Sequence, residues 1–412
     1  MSEKHILVGL DVGTTKVCTV VGIQNNKCEL EIIGIGTNPS LGLKKGAVVN
    51  IDKTIRSIQA SVEEAKLMAG VEISSATIGI AGNHIYSFNS TGAVPIKGKE
   101  VTESDIEKVL DAAKAVVIPS DREVLHVIPQ EFRVDNIGGI KNPVGMCGVR
   151  LEANVHIVTG SVSLIQNLLK CVEQTGISVE GIVLQPIASS IAVLSPEEME
   201  MGVILVDIGG GTTDIAIWKE GSLIHSQIIP VGGNHFTNDL SVALKVSHSE
   251  AERLKINHGS VLGELVNQSA HITVQGINGA RAREVQLSGV AEVLNARAHE
   301  LFTVVKKIID EKGLDFEING GCVITGGGAL IKGMPELAEY IVERPTKVGF
   351  PIPFGGMTNV MQHPKYSTVL GLLLEGNRKA ELQTEIVSKK ADQVDIISKL
   401  SESLKSVFKD IF

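Results

Sequence analysis

The chain of 412 residues is long enough for several packed units, and 43% hydrophobic with 21% charged residues is ordinary for a globular protein. A formal net charge of −9 argues against nucleic-acid binding, which requires a basic surface. The five cysteines are scattered without a CxxC pair, which indicates reduced, mostly buried thiols rather than disulfides or a zinc site. No signal peptide and no run of 18 apolar residues is present, so no membrane-spanning helix is predicted.

The N-terminal region predicts a sheet followed by a helix. Short β-branched runs at 6–10, 17–21 and 30–34, separated by Gly, Asn and polar residues, indicate strands joined as hairpins. Residues 53–68 have helical periodicity, and the apolar run at 76–81 predicts a further strand.

The next region continues this alternation of helix and strand. Thr102 precedes Asp105 at capping-box spacing, which predicts a helix over 102–116. An apolar run at 156–159 predicts a strand, and 163–174 predicts a helix.

One unusual phrase occurs twice in the chain. Near the N-terminus an apolar strand leads into Asp11-Val-Gly-Thr-Thr-Lys16 and a second strand. Farther on, the strand Val203–Val206 leads into Asp207-Ile-Gly-Gly-Gly-Thr-Thr-Asp214 and the strand Ile215–Trp218. Because residue type and strand context recur together, the sequence predicts an internal duplication and two similar half-domains.

Each copy of the phrase has the chemistry of a phosphate-binding turn. The turn directs backbone N–H groups inward, and glycine lets an anion approach the backbone closely. Threonine hydroxyls add donors, and the leading Asp11 or Asp207 can hold a magnesium-bound water near the phosphates. One such hairpin could be an ordinary tight turn, but two that face each other would form a phosphate clamp.

A third glycine cluster lies in Val323-Ile-Thr-Gly-Gly-Gly-Ala-Leu-Ile331, which predicts a strand, a turn and a helix start. A helix N-terminus with bare backbone suits nucleotide packing. Alone, this cluster would be interpreted as a helix-entry loop, whereas the order of all three clusters favours a nucleotide site. Neither a Walker P-loop nor a Rossmann GxGxxG motif is present.

The three clusters together resemble those of the actin-like ATPase superfamily. The resemblance implies an α/β, actin-like fold, in which two RNase-H-like halves surround a cleft for ATP and Mg²⁺. It also implies that Asp11 and Asp207 are the metal-side carboxylates, acting through water. The nucleotide-binding residues implied in the three glycine-rich turns are Asp11, Gly13, Thr14, Thr15, Lys16, Asp207, Gly209, Gly210, Gly211, Thr212, Thr213, Gly326, Gly327 and Gly328.

The same resemblance assigns roles to three further side chains. Gln185 lies in the connecting segment where actin places a glutamine near the attacking water, although a buried amide at a hinge explains it nearly as well. Glu252 and Lys255 match positions at which relatives contact the ribose or purine. An exposed ion pair on a helix is the competing interpretation of these two residues.

A finer resemblance, over nearly the whole chain, is to the FtsA family of cell-division proteins. Its phrases in the segment after Gly82 are His126-Val-Ile-Pro-Gln-Glu131, Gly139-Ile-Lys-Asn-Pro-Val-Gly145 and Gly148-Val-Arg-Leu-Glu152. In FtsA this segment forms a small domain on the opposite side of the first half from the corresponding domain of actin. Ser249-Glu-Ala-Glu-Arg-Leu-Lys255 and Pro364-Lys-Tyr-Ser-Thr-Val-Leu-Gly371 also fit the family.

The FtsA resemblance implies a division of the chain into six units. These are a first core domain (1–83, 163–200 and 361–376), an inserted domain in the first half (84–162), a second core domain (201–230 and 310–360), an inserted domain in the second half (231–309), a linker (377–395) and a membrane-targeting helix (396–412).

The last 17 residues predict an amphipathic helix whose apolar side chains fill an arc of roughly 160°. Phenylalanines on this face, with lysines near its flanks, suit a helix that lies in the lipid headgroup boundary. Packing on the protein's own core is the alternative, and three lysines against two acids leave this segment only weakly basic. The residues expected to contact the membrane are Ile397, Leu400, Leu404, Val407, Phe408, Ile411 and Phe412.

The FtsA resemblance also implies partners. The short C-terminal peptide of FtsZ would dock on 231–309, with Arg281, Arg283, Arg297 and Glu300 as contact residues, although a solvated charged face explains each of them almost as well. Further copies of the chain would add as filaments, and later division proteins embedded in the membrane would bind 84–162. No nucleic-acid partner is expected.

The sequence therefore predicts an ATP-binding protein of cell division with at most weak ATPase activity. It would polymerise on the cytoplasmic face of the inner membrane at the septum, tether FtsZ filaments and recruit later division proteins. The alternatives are another actin-like ATPase, such as an MreB homologue, or a small-molecule kinase of the same superfamily, for which no sugar-binding signature is found. A chaperone-like ATPase would need a peptide-binding domain that the C-terminal region is too short to supply.

Overall fold

The computed structural model describes residues 6–24, 30–276, 281–356 and 361–381. In chain order the strands are β1 (Ile6–Val12), β2 (Lys16–Gln24), β3 (Leu30–Pro39), β4 (Leu43–Lys44), β5 (Ala47–Val48), β6 (Ser75–Ile80), β7 (Tyr86–Pro95), β8 (Arg122–Val134), β9 (Ile137–Ile140), β10 (Arg150–Ser161), β11 (Ser178–Leu184), β12 (Val203–Ile208), β13 (Thr213–Lys219), β14 (Ser222–Ile229), β15 (His271–Val274), β16 (Arg283–Gln286), β17 (Cys322–Thr325), β18 (Thr346–Val348) and β19 (Gly355–Gly356).

The helices alternate with these strands. They are α1 (Ile51–Ala69), α2 (Glu103–Lys114), α3 (Val162–Glu173), α4 (Gln185–Val193), α5 (Pro196–Met201), α6 (Gly233–Leu244), α7 (His248–His258), α8 (Leu287–Glu311), α9 (Met334–Val342) and a helix over 367–381, here α10.

Two sheets share one topology, which confirms the predicted duplication and the actin-like fold class. The first has the order β11-β6-β1-β2-β3-β19 and the second the order β14-β13-β12-β17-β18. In both, the first three strands pair antiparallel in chain order, the fourth pairs parallel with the first, and the fifth pairs parallel with the fourth. The first sheet is extended by β19, which pairs with β3. The register also repeats, because Asp11 lies opposite Cys18 and Asp207 lies opposite Asp214.

Helix α1 covers the first sheet, and its ends follow from local chemistry. The Asn50 side chain accepts a hydrogen bond from the Lys53 amide at the N-terminus, and Gly70 adopts the left-handed conformation that ends the helix. A Cβ atom on Gly36 of β3 would lie 1.8 Å from the carbonyl oxygen of Ser61. Only glycine therefore permits the helix to lie this close to the sheet.

Apolar packing joins the two halves. Each sheet has its own core against its helices, and a third core lies between the halves. This shared core includes Leu7 of the first sheet, Leu205 of the second, and Leu370 and Leu373 of α10. Helix α10 crosses α4 closely, since a Cβ atom on Gly371 would lie 1.7 Å from the carbonyl oxygen of Ala188.

An inserted domain occupies the segment between β6 and α3. Its sheet has the order β7-β10-β8-β9, and its separate core contains Val109 of α2 with Phe132 and Leu151 of the sheet. Helix α2 begins with the predicted capping box between Thr102 and Asp105, which is therefore confirmed.

The inserted domain also contacts β14, the edge strand of the second sheet. Its Ser87 hydroxyl donates to the carbonyl oxygen of Ser226 at 2.6 Å, and His156 Nε2 lies 2.9 Å from Ser226 Oγ. Gln130 Nε2 donates to the carbonyl of Leu223 at 3.1 Å. These polar contacts also join the two halves of the molecule, through residues that belong to neither α4 nor α10.

Two local predictions from the sequence were inaccurate. The triple-glycine cluster leads into a 3-10 turn (Gly327–Leu330), and α9 begins only after Gly333, whose φ of 84° separates the turn from the helix. The predicted linker from 377 begins within α10, which continues to 381 because its charged residues form helix-surface pairs such as Arg378 with Glu375. The other domain limits stay predictions.

Replacing Gly371 with alanine should destabilise the protein by about 1–3 kcal/mol, because the added methyl group overpacks the crossing of α10 and α4. Thermal unfolding of the variant would measure this loss. Gly289→Ala on α8 is the matched control, since a Cβ atom there has nothing within 4 Å, and it should be neutral or slightly stabilising. Equal melting temperatures for the two variants would contradict the close helix crossing.

Candidate functional site

The two glycine-rich turns have the same backbone closure. The Gly13 amide donates to the carbonyl of Lys16 at 3.0 Å, and the Gly209 amide donates to the carbonyl of Thr212 at 3.0 Å. Each turn therefore joins the two antiparallel strands of its own sheet with its amides near the space between the halves.

The two turns also contact each other across the molecule. A Cβ atom on Gly210 would lie 2.2 Å from Thr15 Cγ2, and one on Gly211 would lie 2.6 Å from Thr14 Oγ1. The glycines thus give room for the threonines of the opposite turn. This is the facing arrangement that the duplicated phrase predicts.

Helix α4 contacts the leading carboxylate of both turns. Gln185 Nε2 donates to Asp11 Oδ1 at 3.0 Å, and Ser189 Oγ donates to Asp207 Oδ2 at 2.5 Å. Thr368 Oγ1 of α10 adds a second bond to Asp207 Oδ2 at 3.2 Å. Because Gln185 and Ser189 are four residues apart, they lie on one face of the helix and hold the two carboxylates together.

The carboxylates are buried, and this changes their acidity. Burial raises the pKa of Asp11, and the nearby Lys16 ammonium partly offsets that rise. Burial, with the charge of Asp11, raises the pKa of Asp207, while the hydrogen bond from Ser189 lowers it. Burial and the charge of Asp207 raise the pKa of Asp214 well above its usual range. A divalent cation would relieve this repulsion.

Two buried polar atoms in the cleft make no hydrogen bond within the part of the chain that the structure describes: Lys16 Nζ and Asp214 Oδ1. Lys16 Nζ lies 3.8 Å from Asp11 Oδ2 and 5.3 Å from the ring centroid of Tyr366. A buried ammonium and a buried carboxylate oxygen without hydrogen-bond partners among the described residues fit an anionic ligand and a cation respectively. The donor set suits a nucleotide phosphate with Mg²⁺, which binds through one or two carboxylates and phosphate oxygens.

The predicted residues converge on one cleft of about 680 Å³ between the halves. Gln185 lines it, as do all the nucleotide-binding residues implied by the superfamily resemblance except Thr213. Thr213 is fully buried, and its hydroxyl donates to the carbonyl of Val231 at 2.8 Å. Since side chains alternate along β13, Thr213 lies on the opposite face from Asp214, so its hydroxyl does not reach the cleft.

Glu252 and Lys255 lie on α7, as predicted, and line the same cleft. Lys255 Nζ is 2.7 Å from Glu252 Oε2 and donates to the carbonyl of Gly233 at 3.1 Å. The two side chains therefore pair with each other, and Lys255 also binds the N-terminus of α6. This excludes a purely exposed helix pair, because the Lys255 side chain is only 10% exposed.

Several residues that line the cleft were missed from the sequence. They are Val12, Gly46, Gly79, Ala81, Leu168, Asp214, Gly233, Asn234, Ile256, Asn257, Gly259, Leu330, Ile331, Lys332, His363, Pro364, Lys365 and Thr368. One signal was available: Gly232-Gly233 follows a strand and opens a helix. The amides of Gly233 and Asn234 donate to the carbonyls of the second turn at Gly209 and Gly210, both at 2.8 Å.

The four residues predicted to bind the FtsZ peptide do not form one free basic surface. Arg297 is bound to Asp239 at 2.6 Å and to Glu300 at 2.5 Å, and Arg283 donates to the carbonyl of Leu244. Arg281 is exposed. Three of the four therefore have partners within the chain, which sequence spacing could not reveal.

The predicted membrane-contacting residues, from Ile397 to Phe412, lie outside the described residues. Within the described ranges, no helix combines the length and apolarity needed to cross a bilayer.

Comparison with protein-family models gives two matches. The model described as "Cell division protein FtsA" matches residues 204–371, and the model described as "SHS2 domain inserted in FTSA" matches residues 82–159. The second match falls on the inserted domain that contains β7–β10.

Curated relatives match along most of their length. The cell division protein FtsA of Pseudomonas aeruginosa is 47% identical, over 91% of this chain and 90% of the relative. Those of Borreliella burgdorferi and Escherichia coli K12 are 41% and 37% identical, over 98% and 94% of this chain and 98% and 95% of the relatives.

Solved structures with low sequence identity share the fold. A PilM–PilN type IV pilus biogenesis complex gives a TM-score of 0.65 at 14% identity, over 90% of this chain and 98% of that one. MreB5 of Spiroplasma citri bound to ADP gives 0.55 at 17% identity, over 94% and 98%.

Lys16→Met should weaken nucleotide binding by roughly 10- to 100-fold, because a charge-assisted hydrogen bond to phosphate contributes about 1.5–3 kcal/mol. Titration of a fluorescent ATP analogue with Mg²⁺ measures the effect. Lys53→Met, an exposed position on α1, is the matched control and should bind as wild type. A change smaller than twofold for Lys16→Met would contradict the assignment of Lys16 to phosphate.

Asp214→Asn should stabilise the metal-free, nucleotide-free protein increasingly as pH rises above about 4. The folded-state pKa of Asp214 lies above its unfolded value of 3.8, so the unfolded chain releases the proton first and wild-type stability falls with rising pH. Melting temperatures between pH 5 and 8 would show the widening difference. Asp111→Asn, an exposed position on α2, should show no such trend, and a pH-independent difference for Asp214→Asn would refute the prediction.

Proposed function

The chain belongs to the FtsA family of cell-division proteins, and from this premise we propose that it binds ATP with Mg²⁺ and forms membrane-bound filaments that hold FtsZ filaments at the division site. Nucleotide binding is supported by the cleft between the facing glycine-rich turns, in which Lys16 Nζ is buried without a hydrogen-bond partner among the described residues. The family membership carries the division role.

The residues of the cleft have separable tasks in this proposal. The amides of both turns, with Thr14 and Lys16, hold the phosphates. Asp11 and Asp207 hold Mg²⁺ through its water ligands, and the ion supplies charge neutralisation between phosphate and carboxylate when bound. Gln185 orients a water beside Asp11, since its amide already donates to that carboxylate. Glu252 and Lys255, with the triple-glycine turn, receive the ribose and purine.

Slow or absent hydrolysis suits such a protein, because the nucleotide would mainly stabilise one angle between the halves. A nucleotide that contacts both turns favours the closed arrangement by its differential affinity. A closed and uniform subunit is what a filament with repeating contacts requires.

The C-terminal segment, 396–412, would attach the filament to the cytoplasmic face of the inner membrane. A single short amphipathic helix binds reversibly, and a filament that presents many copies gains avidity. Attachment is therefore linked to polymerisation in this proposal, and the weakly basic character of the segment makes avidity more important.

The FtsZ peptide would dock on the second inserted domain, at 231–309, and later division proteins would bind the first inserted domain, at 84–162. Arg281 and Arg283 are the exposed basic residues of the predicted set, and Arg297 is half-buried. Arg283 donates a hydrogen bond to the carbonyl of Leu244, and Arg297 is paired with Asp239. These two arginines would therefore either shape the docking surface or give up their present partner in order to bind the peptide.

Phe408→Glu should abolish sedimentation with anionic liposomes in the presence of Mg²⁺ and ATP, because it places a charge on the apolar face of the helix that the sequence predicts over 396–412. Wild-type protein should sediment, and more so with ATP. Ser406→Glu, on the polar side of the same helix, adds the same charge and should retain most binding. If Phe408→Glu and wild type sediment equally, the terminal segment is not the anchor. A chain ending at Asp395 should behave like Phe408→Glu.

A further inference from the structure

The contact between the inserted domain and β14 combines a set of hydrogen bonds with one apolar contact, in which Ile128 packs against the shared core that includes Leu223. Besides those of Ser87, Gln130 and His156, the Ser222 hydroxyl donates to the carbonyl of Gln130 at 3.0 Å. Lys141 Nζ donates to Ser222 Oγ at 2.9 Å. Water can replace each of these hydrogen bonds when the surfaces part, which leaves the packing of Ile128 as the contact that opening loses.

The side chains of this contact lie on one face of the inserted sheet. Asn89 is paired in register with His156, and His156 is paired with Ile128, so all three point the same way. Helix α2 packs with the domain's own core, of which Val109, Ala113 and Phe132 are members. The inserted domain therefore has its own core, and its face toward β14 is mostly polar, with Ile128 as the apolar member.

The chain enters the inserted domain at Gly82, whose φ of +135° is rarely adopted by other residues, and leaves it where β10 passes directly into α3 between Ser161 and Val162. Beside it, both ring nitrogens of His84 are buried without a hydrogen-bond partner among the described residues. Glycine has access to backbone conformations that other residues rarely adopt, so the chain can change direction at this junction more readily than at its neighbours.

This junction touches the nucleotide cleft. The Gly46 amide donates to Thr14 Oγ1 at 3.2 Å, and a Cβ atom on Gly46 would lie 2.6 Å from Gly82 Cα. Ala81 and Gly46 both line the cleft. A ligand bound at Thr14 is therefore linked to this junction through Gly46, which contacts both Thr14 and Gly82.

We propose that the polar contact between the inserted domain and β14 is a clasp that opens and closes as the inserted domain turns about Gly82, and that nucleotide in the cleft changes the fraction of closed molecules. The second part rests on the proposed nucleotide-binding function. The clasp is a two-state element, because its polar groups are satisfied by β14 when closed and by water when open.

The fraction of open molecules can be measured by the distance between two spin labels on the full-length chain. One label is placed on Cys147, which is exposed in the inserted domain, and the other on Lys307→Cys, exposed on α8. Cys28→Ser removes one further thiol, and Cys18, Cys171 and Cys322 are buried. Wild-type protein should show one dominant distance and a minor longer one.

Gln130→Ala with Ser222→Ala should increase the longer-distance population about threefold or more, since each lost hydrogen bond shifts the equilibrium by at least that factor. Thr91→Ala is the control on the same sheet, because Thr91 bonds to Asn154 and not to β14, and it should leave the distribution as in wild type. An unchanged distribution in the double variant would overturn the clasp.

Addition of the ATP analogue AMPPNP with Mg²⁺ should change the closed fraction in wild-type protein. Binding of AMPPNP is measured separately by calorimetry. Bound AMPPNP without any change in the distance distribution would overturn the coupling and leave the proposed function intact. Absence of binding would overturn the proposed function and, with it, the coupling, while the effect of the double variant would still decide the clasp.

Discussion

The structure depends on two buried carboxylates, Asp11 and Asp207, that are held side by side although they belong to different sheets. Burial of like charges is unfavourable unless hydrogen bonds and a cation compensate it. Helix α4 supplies the hydrogen bonds through Gln185 and Ser189, four residues apart, and the shared apolar core keeps that helix in place. The position of the cleft and the contact of its glycine turns follow from this pairing.

Several glycines allow neighbouring helices, strands and turns to pack closely, rather than making the chain flexible. Gly36 lets α1 approach the first sheet, Gly371 lets α10 cross α4, and Gly210 admits Thr15 from the opposite turn. In each place a single methyl group would meet backbone or side-chain atoms well inside van der Waals distance. Close-packed interiors resist such insertion, so these contacts fix the spacing of the layers that surround the cleft.

Much of the fold and most of the cleft could be predicted because their signals are local. Asp-x-Gly followed by two threonines, with a strand on either side, specifies a hairpin turn whether or not its partner is known, and the repeat of that phrase predicts two like halves. Contacts between distant parts of the chain could not be predicted in this way. The hydrogen bond from Lys255 to Gly233 and the ion pair of Arg297 with Asp239 both depend on which helices pack together. Thr213 was misjudged because motif membership does not reveal which face of a strand a side chain occupies.

The equal register of the two hairpins has a consequence for symmetry. Lys16 and Thr212 close equivalent turns, and Cys18 and Asp214 lie opposite equivalent aspartates. The duplicated halves are therefore pseudo-symmetric in backbone but not in charge, with the cation on one side and the additional carboxylate on the other. A bare pseudo-twofold site would accept an elongated ligand in either direction. The uneven charge, together with the triple-glycine turn and α7 that line the cleft after the second turn, gives the repeated scaffold a direction.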